Sequence, residues 1–258
     1  MRTAAEIFDV RGQVALVTGA SSGLGEHFAR TLAAAGAHVI AGARRTERLQ
    51  NLVAEIGAAG GRAHALALDV SDAASVGRAF DEAIALAGVP GIVVNNAGIA
   101  ITKPALQVTE EDWRKVTATN LDGVWRVATR AAQALVAAGR PGTIINIASV
   151  LGLRQGNNLV AYNTSKAAVV QLTKTLALEW ARHQIRVNAI APGYVETEIN
   201  QGFFATEAGQ SMVKRVPQRR IGLASDLDGA LLLLASEAGR YMTGSIVVVD
   251  GGHLVNSL

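Results

Sequence analysis

Short runs of consecutive apolar residues alternate along this chain with longer stretches whose apolar positions return at helical spacing. The short runs fall at 14–17, 39–43, 63–68, 92–94, 142–148, 185–190 and 246–249. The helical stretches fall at 25–35, 47–59, 73–87, 110–138 and 161–182, with Gly123 a candidate interruption in the fourth. Period alone does not separate a buried strand from a buried helix, but length does, and the short runs are rich in Val and Ile. Uninterrupted apolar strands joined by helical crossovers predict a parallel sheet covered on both faces. The fold class expected is therefore α/β, a single doubly wound Rossmann-type domain with a seven-stranded parallel sheet. No linker, low-complexity tract or repeat divides residues 1–258.

One zone breaks the rhythm. Residues 194–221 follow the sixth apolar run and carry Gly202, Phe203, Phe204, Gly209, Met212 and Pro217. In an open parallel sheet, ligands bind outside the carboxyl ends of the strands. An aromatic insertion at that place reads as a substrate lid, or else as a surface excursion packed on the core or on another subunit.

Composition narrows the function classes. Half of the residues (50%) are hydrophobic, 27 are glycine and only 4% are aromatic, which suits close helix–sheet packing. There is no cysteine, so thiolate metal sites are excluded, and the five histidines lack ligand spacing. No metal is expected. The formal net charge is +3 and the pI about 9.5, which raises a nucleic-acid-associated protein as a rival. Its basic residues are dispersed, however, apart from Arg44-Arg45 and the group Lys214, Arg215, Arg219 and Arg220. No nucleic acid and no membrane are expected as partners. The apolar runs are short of the ~20 residues a membrane span needs, and a soluble cytoplasmic protein is the expectation.

Two places carry chemistry. The first is Thr18-Gly-Ala-Ser-Ser-Gly-Leu-Gly25, between the first strand and the first long helix. Gly19, Gly23 and Gly25 let the backbone turn and approach a pyrophosphate, and Ser21, Ser22 and Leu24 complete a turn whose helix end offers N–H donors to an anion. The second strand ends Gly42-Ala43-Arg44-Arg45, without the carboxylate that would bind the ribose hydroxyls of NAD(H). Arginine there can grip a 2′-phosphate in bidentate fashion, so Arg44 favours NADP(H) over NAD(H). Ser22 can add a hydroxyl to the phosphate.

The second place is Tyr162-Asn-Thr-Ser-Lys166, with Ser149 upstream. Residues four apart share a helix face. An ammonium beside a phenol favours the phenolate and so is expected to lower a pKa near ~10. A tyrosine tuned that way exchanges protons with an alcohol or a ketone.

Taken in order, Gly19-x-x-x-Gly23-x-Gly25, Asn95-Asn-Ala-Gly98, Ser149, Tyr162-x-x-x-Lys166 and Pro192-Gly193 resemble the short-chain dehydrogenase/reductase family across nearly the whole chain. The chain especially resembles the tetramer-forming members that include 3-oxoacyl-carrier-protein reductases and sugar or polyol dehydrogenases. The resemblance implies that Tyr162 is general acid or base, that Lys166 tunes it and holds the nicotinamide ribose, and that Ser149 grips the substrate oxygen. It implies that Asn120 holds a water linking Lys166 to solvent. It also implies that Asp69 and Val70 meet the adenine, that Asn96, Ala97 and Gly98 line the adenosine ribose, and that Pro192, Gly193, Val195 and Thr197 border the nicotinamide. Asn95 is expected to tie strands together. The last strand, 246–249, is where family members pair subunits, so a homotetramer is implied. Acyl carrier protein is a possible partner through the Lys214–Arg220 charges. An NAD(H)-dependent alcohol or polyol dehydrogenase and a non-catalytic dinucleotide-binding regulator remain as alternatives.

Overall fold

The computed structural model of the chain describes residues 2–196, 201–204 and 206–255. Seven strands form one parallel sheet in the order β3-β2-β1-β4-β5-β6-β7. The strands are β1 Val14–Thr18, β2 His38–Ala43, β3 Arg62–Ala67, β4 Ile92–Asn95, β5 Gly142–Ile147, β6 Ile185–Pro192 and β7 Ile246–Val249. The chain builds outward from β1 to β3, then crosses to the other side of β1 to lay down β4. That reversal opens a crevice at the carboxyl ends of β1 and β4, where a ligand is received.

The central strands are mostly apolar on both faces because each feeds two cores. Ala15 and Val17 of β1 pack with Val39, Ala41 and Val94 on one face, whereas Val14 and Leu16 pack with Ile40 and Val93 on the other. Phe28 and Leu32 cover the first face, and Phe80 and Leu135 cover the second. All four of these side chains are at 0% exposure. Burying each stabilises the fold by roughly 1.5–3 kcal/mol before entropy is counted.

The helices are α1 Ala4–Ile7, α2 Gly23–Ala34, α3 Thr46–Ala58, α4 Ala73–Ala87, α5 Glu110–Thr117, α6 Gly123–Ala137, α7 Val160–Trp180, α8 Gln201–Phe204, α9 Glu207–Arg215 and α10 Asp228–Ala235. The short α1 is not among the periodic stretches. Its signal was a capping box, in which Thr3 accepts from the Glu6 amide while the Glu6 carboxylate accepts from the Thr3 amide.

The long stretch 110–138 is divided by a π-helical turn, Ala118–Asp122, in advance of Gly123. Gly123 then starts α6 where a Cβ would meet Val70 Cγ2 at 2.7 Å. The irregular zone after β6 contains α8 and α9, the latter started by Thr206, whose hydroxyl accepts from the Gly209 amide at 3.1 Å.

Candidate active site

The glycine turn leaves β1 at Thr18 and enters α2 at Gly23. Gly19 adopts φ +67°, and a Cβ there would stand 2.8 Å from Ala97 Cα. A Cβ at Gly25 would collide with the Gly19 carbonyl oxygen and the Asn96 amide. Only glycine keeps that turn open to a ligand's phosphates.

The turn is stapled to the end of β4. Thr18 Oγ1 accepts from the Asn96 and Ala97 amides, both at 3.0 Å. Asn96 Nδ2 donates to the Thr18 carbonyl at 3.0 Å. Asn95 ties strands as expected, donating to Asn146 Oδ1 of β5 at 2.9 Å. Leu24 packs against the core and anchors the first turn of α2.

The arginine pair at the end of β2 divides its work. Arg45 reaches across the glycine turn and donates to Ser21 Oγ at 3.0 Å and Ser22 Oγ at 2.8 Å. Ser22 is the N-cap of α2, yet its hydroxyl makes no cap bond. Arg44 is exposed, and its charge is felt at Asp69. Burial alone would raise the Asp69 carboxyl, but Ser71 donates to it through backbone and hydroxyl, and with Arg44 nearby the group sits below its ordinary value.

Arg44 and Asp69 thus share the β2–β3 edge, with Val70 buried beside them. Arg45 is the residue that sequence reasoning underweighted. Its signal was the Arg-Arg pair itself, from which the reach of either side chain is not readable.

The second cluster forms at the carboxyl end of β5. Ser149 accepts from the Leu151 amide at 3.1 Å, and its hydroxyl favours ionisation of the Tyr162 phenol. It therefore both caps its turn and acts on the tyrosine. Tyr162 and Lys166 lie one turn apart in α7. The Lys166 ammonium is 5.7 Å from the centre of the Tyr162 ring and donates to the Ile147 carbonyl at 2.7 Å. Lys166 is 4% exposed, and burial pulls its pKa down to about 8.

The Tyr162 phenol moves opposite to the sequence expectation. Burial pushes it up, and the Ser149 hydrogen bond only partly opposes this. The physical reason is placement: the ammonium spends its bond on a backbone carbonyl and lies against the ring. Tyr162 accordingly stands as a protonated phenol, a donor.

Asn120 sits in the π-helical turn at 0% exposure. Its Oδ1 accepts from the Ile99 amide at 2.8 Å, and its Nδ2 donates to the Ile99 carbonyl at 2.9 Å and to Ser165 Oγ at 3.1 Å. Ser165 in turn donates to the Tyr162 carbonyl at 2.7 Å. Asn120 thus links the loop after β4 to the first turn of α7. The Gly98 position faces it: a Cβ there would lie 3.4 Å from Asn120 Oδ1 and 3.6 Å from Lys166 Nζ.

At the end of β6, Pro192 closes the strand, and the Gly193 amide donates to the Val249 carbonyl at 2.9 Å. Val195 is buried and bridges Gly222. Thr197 lies outside the described residues. The geometry therefore brings one strand–turn–helix anion cradle and one Ser–Tyr–Lys cluster to the same edge of the sheet.

Comparison with known proteins agrees with that geometry. A family model described as Enoyl-(Acyl carrier protein) reductase matches residues 19–253. The chain is 38% identical to a 2-dehydro-3-deoxy-D-gluconate 5-dehydrogenase of Dickeya dadantii, covering 96% of this chain and 97% of that one. It is 40% identical to a galactitol 2-dehydrogenase (L-tagatose-forming) of Cereibacter sphaeroides, covering 96% and 98%. A crystal structure of a gluconate 5-dehydrogenase from Burkholderia cenocepacia, in complex with NADP and tartrate, superposes with a TM-score of 0.95 at 37% identity, covering 99% of this chain and all of that one (100%).

A cradle of this kind, joined to a hydroxyl–phenol–ammonium cluster, defines an oxidoreductase that works on C–OH or C=O groups with a nicotinamide dinucleotide. The chain belongs to the short-chain dehydrogenase/reductase family.

Proposed function

We propose that the protein is an NADP(H)-dependent oxidoreductase that interconverts a ketone and a secondary alcohol, with Tyr162 as the general acid and base. The observation that carries this is the buried Lys166 ammonium 5.7 Å from the centre of the Tyr162 ring, with the Ser149 hydroxyl acting on the same phenol.

The cradle fits a dinucleotide. Gly19, Gly23 and Gly25 with Ser21, Ser22 and Leu24 would hold the pyrophosphate. Asp69, Val70, Asn96, Ala97 and Gly98 would line the adenosine, and Pro192, Gly193, Val195 and Thr197 the nicotinamide. Two guanidinium groups follow β2 beside the glycine turn and support this reading, Arg45 clasped to Ser21 and Ser22 and Arg44 near Asp69. NADP(H) is accordingly favoured over NAD(H). When bound, the nicotinamide supplies or accepts the hydride.

The chain's own residues do the rest. Ser149 fixes the substrate oxygen against Tyr162, a positioning effect. Tyr162, kept protonated by its buried setting, delivers a proton to that oxygen in reduction and takes it back in oxidation. Lys166, with a pKa near 8, gains and loses its proton close to neutrality and restores the tyrosine. Asn120 would hold the relay water through its place beside Gly98 and Lys166.

A homotetramer is the proposed assembly. β7 is the edge strand of the sheet and leaves Val248 exposed, and an uncovered apolar edge invites pairing. Acyl carrier protein draws less support, because Arg220 is paired with Asp226 at 2.5 Å and Arg219 is turned to the Lys214 carbonyl.

The test is nicotinamide absorbance during turnover of a panel of sugars, sugar acids, cyclic ketones, steroids and acyl thioesters, with NADPH or NADP⁺ and with the 2′-dephospho forms. Tyr162→Phe should bind cofactor normally and lose at least ~10²-fold in turnover. Near-native activity in that variant, or a preference for NADH, would remove the corresponding part of the proposal.

A further inference from the structure

Five residues beyond Ser149, the chain places Arg154. The short helical turn Val150–Gly152 brings it round, with its amide donating to the Val150 carbonyl at 2.8 Å. Its guanidinium donates to the His253 carbonyl, on a segment 99 residues away. The His253 ring lies 5.0 Å from the Tyr194 ring, and Tyr194 also meets Phe204 edge-on at 6.4 Å.

Tyr194 is close enough to Tyr162 to oppose the ionisation of its phenol. The same Tyr194 feels the Arg154 charge, which opposes the effect of its burial. Arg154 is therefore linked through the Tyr194 ring to the proposed proton donor.

Its bonding is incomplete. Among the described residues no carboxylate lies within ion-pair distance of Arg154. The nearest acid in sequence terms of that segment, Asp250, spends its oxygens on the Gly252 amide at 2.8 Å and the Leu254 amide at 2.5 Å. His253 Nδ1 is buried and finds no partner either. A guanidinium carries five N–H donors in a planar fork that matches a carboxylate. An acyl chain or a steroid laid against it would leave those donors and the charge desolvated and unmatched, at a cost.

We infer that the substrate carries a carboxylate, a hydroxy or keto acid of sugar size, whose acid end is held by Arg154 while its reacting oxygen lies between Ser149 and Tyr162. This deepens the proposed function and rests on it for the reacting oxygen. Tyr194 forms the wall between the two ends. Asn157 and Asn158 on the same loop, with Asn163 of the first turn of α7, border a cavity suited to hydroxyl groups.

The experiment compares D-gluconate with D-glucitol, its neutral alditol counterpart, and titrates L-tartrate into the NADP⁺-loaded protein. Wild type should prefer the acid in kcat/KM and bind tartrate. Arg154→Gln should lower kcat/KM for gluconate by about 30-fold or more relative to glucitol, and weaken tartrate binding equally. Arg154→Lys should recover part of both. A variant hurt only in folding would lose both substrates alike.

Turnover of neutral alcohols with no preference for acids, or an unchanged acid-to-neutral ratio in Arg154→Gln, overturns the inference and leaves the proposed function standing. No turnover of any alcohol or ketone overturns the proposed function, and Arg154 is then judged by tartrate binding alone. If wild type and Arg154→Gln bind tartrate equally, the inference fails there too.

Discussion

The two halves of the sheet's carboxyl edge are built on different principles. Around β1, β2 and β4 the site is backbone held by backbone: Thr18 and Asn96 staple the glycine turn, and Gly25 leaves no room for a Cβ. Beyond β5 and β6 the site is made of side chains on excursions, with Arg154 reaching to His253 and Tyr194 leaning on Phe204. The first half suits one invariant ligand part, a pyrophosphate. The second half can be rewritten residue by residue without touching the first. This is how relatives of one fold come to carry names as different as galactitol 2-dehydrogenase and 2-dehydro-3-deoxy-D-gluconate 5-dehydrogenase.

The strongest way to break the comparison is Gly25→Val. Its side chain would press on the Gly19 carbonyl and the Asn96 amide. Affinity for NADPH should fall by roughly 10²-fold or more, read by calorimetry, since overpacking of a tight contact costs about 1–3 kcal/mol and the staple itself is disturbed. Asn157→Ala, in the second half, should leave that affinity as it is. If both variants lose NADPH equally, the halves are not independent.

Lys166 joins the halves, and its next test is energetic. The ammonium has been drawn down to about 8 from an ordinary 10.5 by burial. A base with a depressed pKa binds fewer protons in the fold than in the open chain between those values. Stability conferred at this position is therefore lowest below pH 8 and rises toward pH 10.5.

Lys166→Met removes that penalty but leaves the Ile147 carbonyl without its donor. At pH 7 the variant should be more stable in urea by on the order of 1–2 kcal/mol, the gap closing as pH approaches 10, while turnover collapses. A variant that is less stable at pH 7, with the wild-type pH slope, would show that the lysine is a structural support and not a group held at a cost for chemistry.

What the sequence disclosed follows the same divide. The strands, the glycine turn and the order of motifs were legible because each imposes a local pattern: period, a glycine where no Cβ fits, a fixed spacing. Asn120 was legible as a residue but not as a geometry, since its π-helical turn carries no residue signature and its partners Ile99 and Ser165 come from other elements. The direction of the Tyr162 shift was hidden because its largest cause, burial of the phenol, comes from tertiary packing, and Tyr194 from beyond β6 adds to it. Arg45 differs from Arg44 only in where its side chain turns. Arg154 and His253 are 99 positions apart, and no local pattern announces a contact of that kind.

The smallest expected effect bears on the zone after β6, whose reading as a substrate lid is still a proposal. Thr206 starts α9 by accepting from the Gly209 amide. Thr206→Ala removes a cap worth about 1 kcal/mol to that helix. Because α9 lies in the second half, the loss should be local. The melting temperature of the whole domain should barely move, NADPH affinity should hold, and KM for the substrate should rise by up to about fivefold as the closed arrangement of the helix becomes less populated. A drop in the global melting temperature with KM unchanged would mean that α9 is a packed buttress of the core, and that the second half owes its variability to loops alone.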